Sequence, residues 1–253
     1  MNVSQNFLET YRVVRRAEGW GSADAAYYRK LPRVARDDPQ RAIWRVRAAT
    51  FRALLKVIGQ HRRVLDLGAG NGWLAYQLTR RGHSVTALDL SRDERDGLGA
   101  LRHYPATFRA SQADFTALPF ADAQFDCAIF NASLHYAGNL TRTMAESVRV
   151  LTAAGIIIVM DSPMYHDAAS GQAMFAKKKA GFRHDYALDP VDDQMGFVTF
   201  ADFEMLSRVF AFQWAWIEPF VDWRWSTRHW VARLRGQREP ARFGLMVGRR
   251  QGD

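Results

Sequence analysis

The chain has almost no cysteine, no long apolar run and no repeat. A single cysteine, Cys127, among 253 residues leaves no partner for an intrachain disulfide and too few sulfur ligands for a thiolate metal centre. Set in the apolar stretch FDCAIF, it reads as a small core residue, and no metal-ligand set is assigned elsewhere. No stretch approaches the roughly eighteen apolar residues that span a bilayer. The first twenty residues also lack the apolar core of a signal peptide, so a soluble, cytoplasmic protein is expected. Like charges gather no further than Lys177-Lys178-Lys179, a run that a solvated helix face explains. The net charge of +9 still favours anionic partners such as nucleic acid, acidic metabolites or an anionic membrane surface, without choosing among them.

What the chain does have is apolar content and periodicity. Hydrophobic residues make up 48% of it, enough for one sizeable domain with a lid or insertion. Residues 1–60 read as helical, an N-terminal lid. Phe7, Leu8, Tyr11 and Val14 recur at helical spacing, and 41–59 does so more strongly before Gly59 caps it. From residue 61 the pattern changes to short apolar runs: RVLDLG, SVTALDL, ATFRAS, FDCAIFN and GIIIVMD. Helical windows at 72–81, 91–102 and 141–152 separate most of them. This alternation predicts an α/β, Rossmann-like doubly wound sheet over 61–253, its continuous runs buried on both faces. Residues 161–198 break the rhythm and read as a substrate-side insertion. A helix over 200–210 and the runs FAFQWAWI and FGLMVGRR follow.

The stretch VLDLGAGNGW, residues 64–73, takes an apolar run into a glycine-rich loop. A dinucleotide fingerprint is G-x-G-x-x-G, whereas here Gly68, Gly70 and Gly72 give G-x-G-x-G and Trp73 stands where the third glycine belongs. An indole there would hold the helix off the strand. No Gly-Lys-Ser/Thr follows, which excludes a P-loop. Asp66, two residues before the first glycine, would repel pyrophosphate and suits a cationic amine. Asp89, about twenty residues after the loop, can accept from both hydroxyls of a ribose. A ligand with ribose and amine but no phosphate is S-adenosylmethionine.

With these features in order, residues 62–161 resemble the core of the class I S-adenosylmethionine-dependent methyltransferases. The closest resemblance is to the small-molecule, type 11 branch that includes ubiquinone- and menaquinone-biosynthesis enzymes. VLDLGAGNG is similar to its glycine-rich motif and VTALDLS to its ribose-binding motif. ADFTALPFADAQFDCAIFNASLHY is similar to its adenine-contacting segment and fourth strand, and ESVRVLTAAGIIIVMD to its following helix and fifth strand. The resemblance implies about seven strands, mostly parallel, with an antiparallel last strand. It implies that Gly68, Ala69 and Gly70 cradle the methionine end, with Asp66 near its amine. Asp89 and Leu90 would meet the ribose, Asp114 and Phe115 the adenine, and Asn131 the methionine end. LTAAG stands where the family has a Lys-Pro-Gly-Gly turn.

Methyl transfer is an in-line displacement that needs alignment, exclusion of water and, for some acceptors, a base. The candidates past the fourth strand are His135, as base or orienting group, and Tyr136. Tyr165 and His166, in DSPMYHD, are candidate substrate contacts. That motif resembles an amino-methylating signature of nucleic-acid enzymes, but the signature belongs after the fourth strand. Five of the eight tryptophans fall in 214–230. Trp214 and Trp216 alternate onto one strand face, and Trp223, Trp225 and Trp230 lie among arginines, an arrangement that stacks bases, grips an amphipathic ligand or rests at a membrane. The leading expectation is a methyltransferase acting on a small, apolar or amphipathic acceptor and releasing S-adenosylhomocysteine. An RNA methyltransferase and a non-catalytic S-adenosylmethionine-binding protein are the alternatives. The oligomeric state is left open.

Overall fold

In the computed structural model, residues 3–105, 108–186 and 196–252 are described, without the side chains of 3–7. Three helices come first: α1 (Val3–Ala17), α2 (Ala25–Lys30) and α3 (Arg41–Val57). The last ends where Gly59 takes a left-handed φ of 76°. Alternation follows with β1 (Arg63–Leu67), α4 (Trp73–Thr79), β2 (Ser84–Asp89), β3 (Arg109–Gln112), β4 (Phe125–Asn131), α5 (Leu140–Val150) and β5 (Leu151–Met160). The insertion holds β6 (Met164–Tyr165), α6 (Ala168–Tyr186) and β7 (Val198–Thr199), with β6 and β7 paired as a small second sheet. Residues 187–195 of the insertion, and Ala106 and Thr107 of ATFRAS, lie outside the described residues. The chain closes with α7 (Phe200–Phe210), β8 (Phe212–Ile217), α8 (Trp223–Leu234) and β9 (Leu245–Arg250).

The seven-stranded sheet has the order β3-β2-β1-β4-β5-β9-β8. Its first five strands are parallel, and β9 runs antiparallel to both neighbours, as the resemblance implied. Both sheet faces are apolar and alternate residue by residue. Val64, Cys127, Ile129, Ile156 and Ile158 meet α3 and α4, while Leu65, Leu67, Ala128, Phe130 and Ile157 meet α5 and α7. Strand order reverses between β1 and β4, so a crevice opens at their carboxyl ends.

Three local expectations come out differently. Residues 91–102 form turns and a 3₁₀ helix (Leu98–His103) rather than an α-helix. The cause is side-chain competition: Asp89, Ser91 and Asp93 accept from the amides of Ser91, Asp93, Arg95 and Asp96. LTAAG is no free turn. Leu151 pairs with Phe125 and Ile156 with Cys127, so the segment is a wide bulge inside β5. Trp73 does not hold α4 off the sheet. Its indole packs edge-to-face on Trp44 and Phe51 of α3, with ring centroids 5.8 and 5.6 Å away. That contact joins residues 1–60 to the same core cluster as β1 and α4. Replacing Trp73 by Ala is expected to cost about 3–5 kcal/mol. Urea unfolding measures this, and a loss under about 1 kcal/mol would show that the N-terminal helices do not depend on this contact.

Candidate functional site

A cavity of about 340 Å³ lies at the carboxyl ends of β1, β2 and β4, with α1 across it. Of the expected cofactor residues, Gly68, Gly70, Asp89, Leu90, Asp114 and Phe115 line it. The glycine loop is shaped by backbone bonds: the amides of Gly68 and Ala69 both donate to the Leu88 carbonyl, at 2.8 and 2.9 Å. Gly68 has φ 73°, and a Cβ there would sit 2.4 Å from Ser133 Cβ, so no side chain fits. Asp89 ends β2 and accepts from Gly70 N through Oδ2 and from Ser91 N through Oδ1, each at 2.7 Å. Each oxygen keeps a lone pair for a ligand hydroxyl. Desolvation raises its carboxyl to about 6, against the lowering effect of the Ser91 and Gly70 amides. Asp114 takes the amide and hydroxyl of Thr116 on Oδ1, so it shapes a turn as well as lining the cavity.

Asp66, Ala69, Asn131, His135, Tyr165 and His166 lie outside that lining. Asp66 is 0% exposed, on the β1 face that α4 covers, and neither oxygen makes a hydrogen bond of good geometry. Burial, then repulsion from Asp89, raises it to about 7, while the Ala75 amide favours its ionised form. Ala69 and Asn131 are buried beside the cavity floor. Tyr165 packs on Phe197 and His166 stacks on Phe200 at 4.0 Å, both within the insertion and the start of α7. Of the two candidate catalytic residues, Tyr136 lines the cavity and His135 lies behind it, ring against ring at 4.1 Å.

His135 is 6% exposed, with Nδ1 3.3 Å from Ser162 Oγ. Burial and then the charges of Lys178, Arg47 and Arg15 push its pKa down to about 3. It is therefore neutral at pH 7 and a weak proton acceptor. Asp161, next in sequence to Ser162 and in the left-handed region (φ 57°), accepts from Thr50 Oγ1 at 2.8 Å, and its Oδ1 has no partner among the described residues. Arg47, whose guanidinium lies over Trp20 and Trp44, has a buried Nε with no hydrogen-bond partner among the described residues.

Several lining residues carried no motif. Leu8 and Tyr11 come from α1, which is tied down by the Arg15–Asp96 ion pair and by Arg16 to Asp93 at 2.9 Å. Tyr11 also meets the Tyr136 ring edge-on at 5.6 Å. Ser133, Asn139 and Arg142 follow β4. Only their position after a parallel strand could have marked them.

Comparison with known proteins places this geometry. Residues 65–159 match the family model described as a methyltransferase domain. A malonyl-[acyl-carrier protein] O-methyltransferase of Erwinia pyrifoliae is 37% identical over 100 residues, covering 40% of this chain. The match spans only 37% of that relative's own length. A glycine/sarcosine/dimethylglycine N-methyltransferase of Actinopolyspora halophila is 34% identical over 119 residues, 44% of this chain and 20% of that one. The solved structure of the YcgJ protein from Bacillus subtilis covers 82% of this chain and all of its own, with a TM-score of 0.61 at 14% identity. That of a possible histamine N-methyltransferase from Thermotoga maritima covers 89% and 98%, with a TM-score of 0.55 at 15% identity. Motif order, strand order and these relatives agree: the chain carries a methyltransferase domain of the type 11 branch of the class I S-adenosylmethionine-dependent methyltransferases.

Proposed function

We propose that the chain transfers a methyl group from S-adenosylmethionine to a small acceptor that presents a carboxylate, forming a methyl ester. The observation that carries the reading is the convergence of the Gly68–Gly72 loop and the Asp89 carboxylate on one cavity. Bound there, S-adenosylmethionine supplies an electrophilic methyl group on a sulfonium. Gly68 and Gly70 present bare backbone to its methionine end. Asp89 takes the ribose hydroxyls, and Phe115 and Asp114 flank the adenine.

The acceptor class follows from charge. Three cations, Lys178, Arg47 and Arg15, bear on His135 at the inner end of the site. They favour an anionic acceptor and repel an ammonium. A carboxylate is already a nucleophile, so a neutral His135 need not remove a proton; from behind the lining it backs the Tyr136 ring. Arg47 supplies an unpaired donor for the carboxylate. Leu8, Tyr11 and Tyr136 form the apolar wall that excludes water. The O-methyltransferases among the relatives support the same class.

Methyl-labelled S-adenosylmethionine offered with pools of carboxylic acids, acyl thioesters and amines tests this. Label is expected in carboxyl-bearing compounds and released as methanol by alkali; alkali-stable label would mean ether O-methylation or N- or C-methylation instead. With the acceptor in hand, Arg47→Gln should raise its KM at least about tenfold and leave cofactor affinity unchanged.

Cofactor binding should follow pH. Asp66 and Asp89 hold protons more tightly in the folded protein than in the unfolded chain, so acidification favours the folded apoprotein through these groups. It also removes the acceptors that the ribose needs. Affinity for S-adenosylhomocysteine is expected to fall roughly tenfold between about pH 7.5 and about pH 5, as Asp89 titrates near 6. Calorimetry reads this. Asp89→Asn should bind weakly at every pH, and an unchanged pH profile in that variant would remove Asp89 from the ribose site.

A further inference from the structure

The helix α8 has its apolar stripe on the wrong side for packing. At 100° per residue, Trp223, Thr227, Trp230 and Leu234 fall within about 60° of one another. This stripe faces solvent: Trp223 is 67%, Trp230 68% and Leu234 87% exposed, and Phe220, just before the helix, is 71% exposed. The opposite face carries the buried Ala232 and the half-buried Trp225, which meets Phe243 at 6.1 Å. An ordinary surface helix buries its large apolar residues. Isolated exposed ones are common, but a contiguous aromatic stripe marks a contact surface.

The stripe is also bordered by cations. Arg224 and Arg235 lie to one side of it and Arg233 to the other, all exposed. Neighbouring acids are engaged elsewhere: Asp222 caps the helix through Trp225 N and pairs with Arg45, and Glu218 and Glu239 pair with Arg242. The helix is held so that the stripe stays outward. Arg228 donates to the carbonyls of Trp225 and Ala241, both at 2.8 Å, and lies 3.6 Å over the Trp225 ring.

We infer that α8 is an interfacial helix that seats Phe220, Trp223, Trp230 and Leu234 in the headgroup region of an anionic lipid bilayer, with Arg224, Arg233 and Arg235 on the lipid phosphates. An exposed aromatic stripe bordered by arginines on both long sides matches a plane of anionic headgroups, and tryptophan partitions to that depth. The net charge of +9 draws the chain to the same surface. Among the described residues no helix is long and apolar enough to cross a membrane, so the contact lies in the plane of the interface. The Asp222–Arg45 pair, at 2.6 Å, fixes α8 to α3, the helix that carries Arg47. The lipid contact itself does not depend on which acceptor is used.

Co-sedimentation of the full chain with vesicles tests the inference, using phosphatidylcholine alone or with about 30% phosphatidylglycerol. Binding to the anionic vesicles is expected, at least about tenfold weaker on phosphatidylcholine, with a blue shift of tryptophan emission. A Trp223→Ser/Trp230→Ser double variant should lose that binding at least about tenfold while S-adenosylhomocysteine affinity and far-ultraviolet dichroism stay unchanged. Arg224→Gln/Arg233→Gln/Arg235→Gln should lose the preference for anionic lipid. Failure of the wild-type chain to bind the anionic vesicles overturns the inference, as does a double variant that binds like wild type. A dimer that the tryptophan variant splits, without lipid binding, assigns the face to a second copy instead.

Discussion

Two amides on one carbonyl set the geometry of the site. Gly68 and Ala69 both donate to the Leu88 carbonyl, which turns the chain sharply across the end of β2 as it leaves β1. The turn needs positive φ at Gly68, and the crowding of Ser133 against that position leaves room for hydrogen alone. Gly70 then reaches Asp89, so the loop fixes the one carboxylate that ends β2 in the cavity. Strand order reverses beside this point, and the residues after β3 and β4 close the remaining walls. A side chain at Gly68 would displace the loop, the carboxylate and the floor together.

Charge divides the site into two ends. Asp66 and Asp89 lie under and beside the glycine loop, where desolvation raises both, with Asp89 raising Asp66 further and Asp96 raising Asp89. A cationic ligand relieves that cost, which is what a sulfonium with an amino group brings. At the opposite end burial, and then the charges of Lys178, Arg47 and Arg15, keep His135 neutral. The Arg15–Asp96 pair joins the two ends and anchors α1 over the cavity, and Asn71 of the glycine loop comes within 3.5 Å of Asp96. The position of α1 is thereby coupled to the glycine loop.

The fold and the glycine loop with its facing carboxylate were legible in the sequence because both rest on local patterns. FDCAIFN is β4 residue for residue, and 200–210 is α7, since apolar periodicity and a Thr199–Asp202 capping box are written in adjacent residues. The glycine spacing and Asp89 were readable for the same reason. Asp66 shows the limit: its place in the motif says that it precedes the loop, whereas strand alternation puts its side chain under α4. The 91–102 window shows another, because acidic side chains that cap turns carry the same apolar spacing as a helix. The surroundings of His135 were not legible. Arg15, Arg47 and Lys178 come from α1, α3 and α6, and only the tertiary fold brings their charges to one histidine. The aromatic stripe of α8 was visible as composition, but its outward direction depends on which face the protein core takes.

The most direct test of the account is a crystal structure of the chain with S-adenosylhomocysteine. The ribose hydroxyls are expected on both oxygens of Asp89, the adenine between Phe115 and Asp114, and the amino-acid end over Gly68 and Gly70, with α1 in place above. A ligand seated in another crevice, or one that leaves Asp89 bound only to its own loop amides, would contradict it.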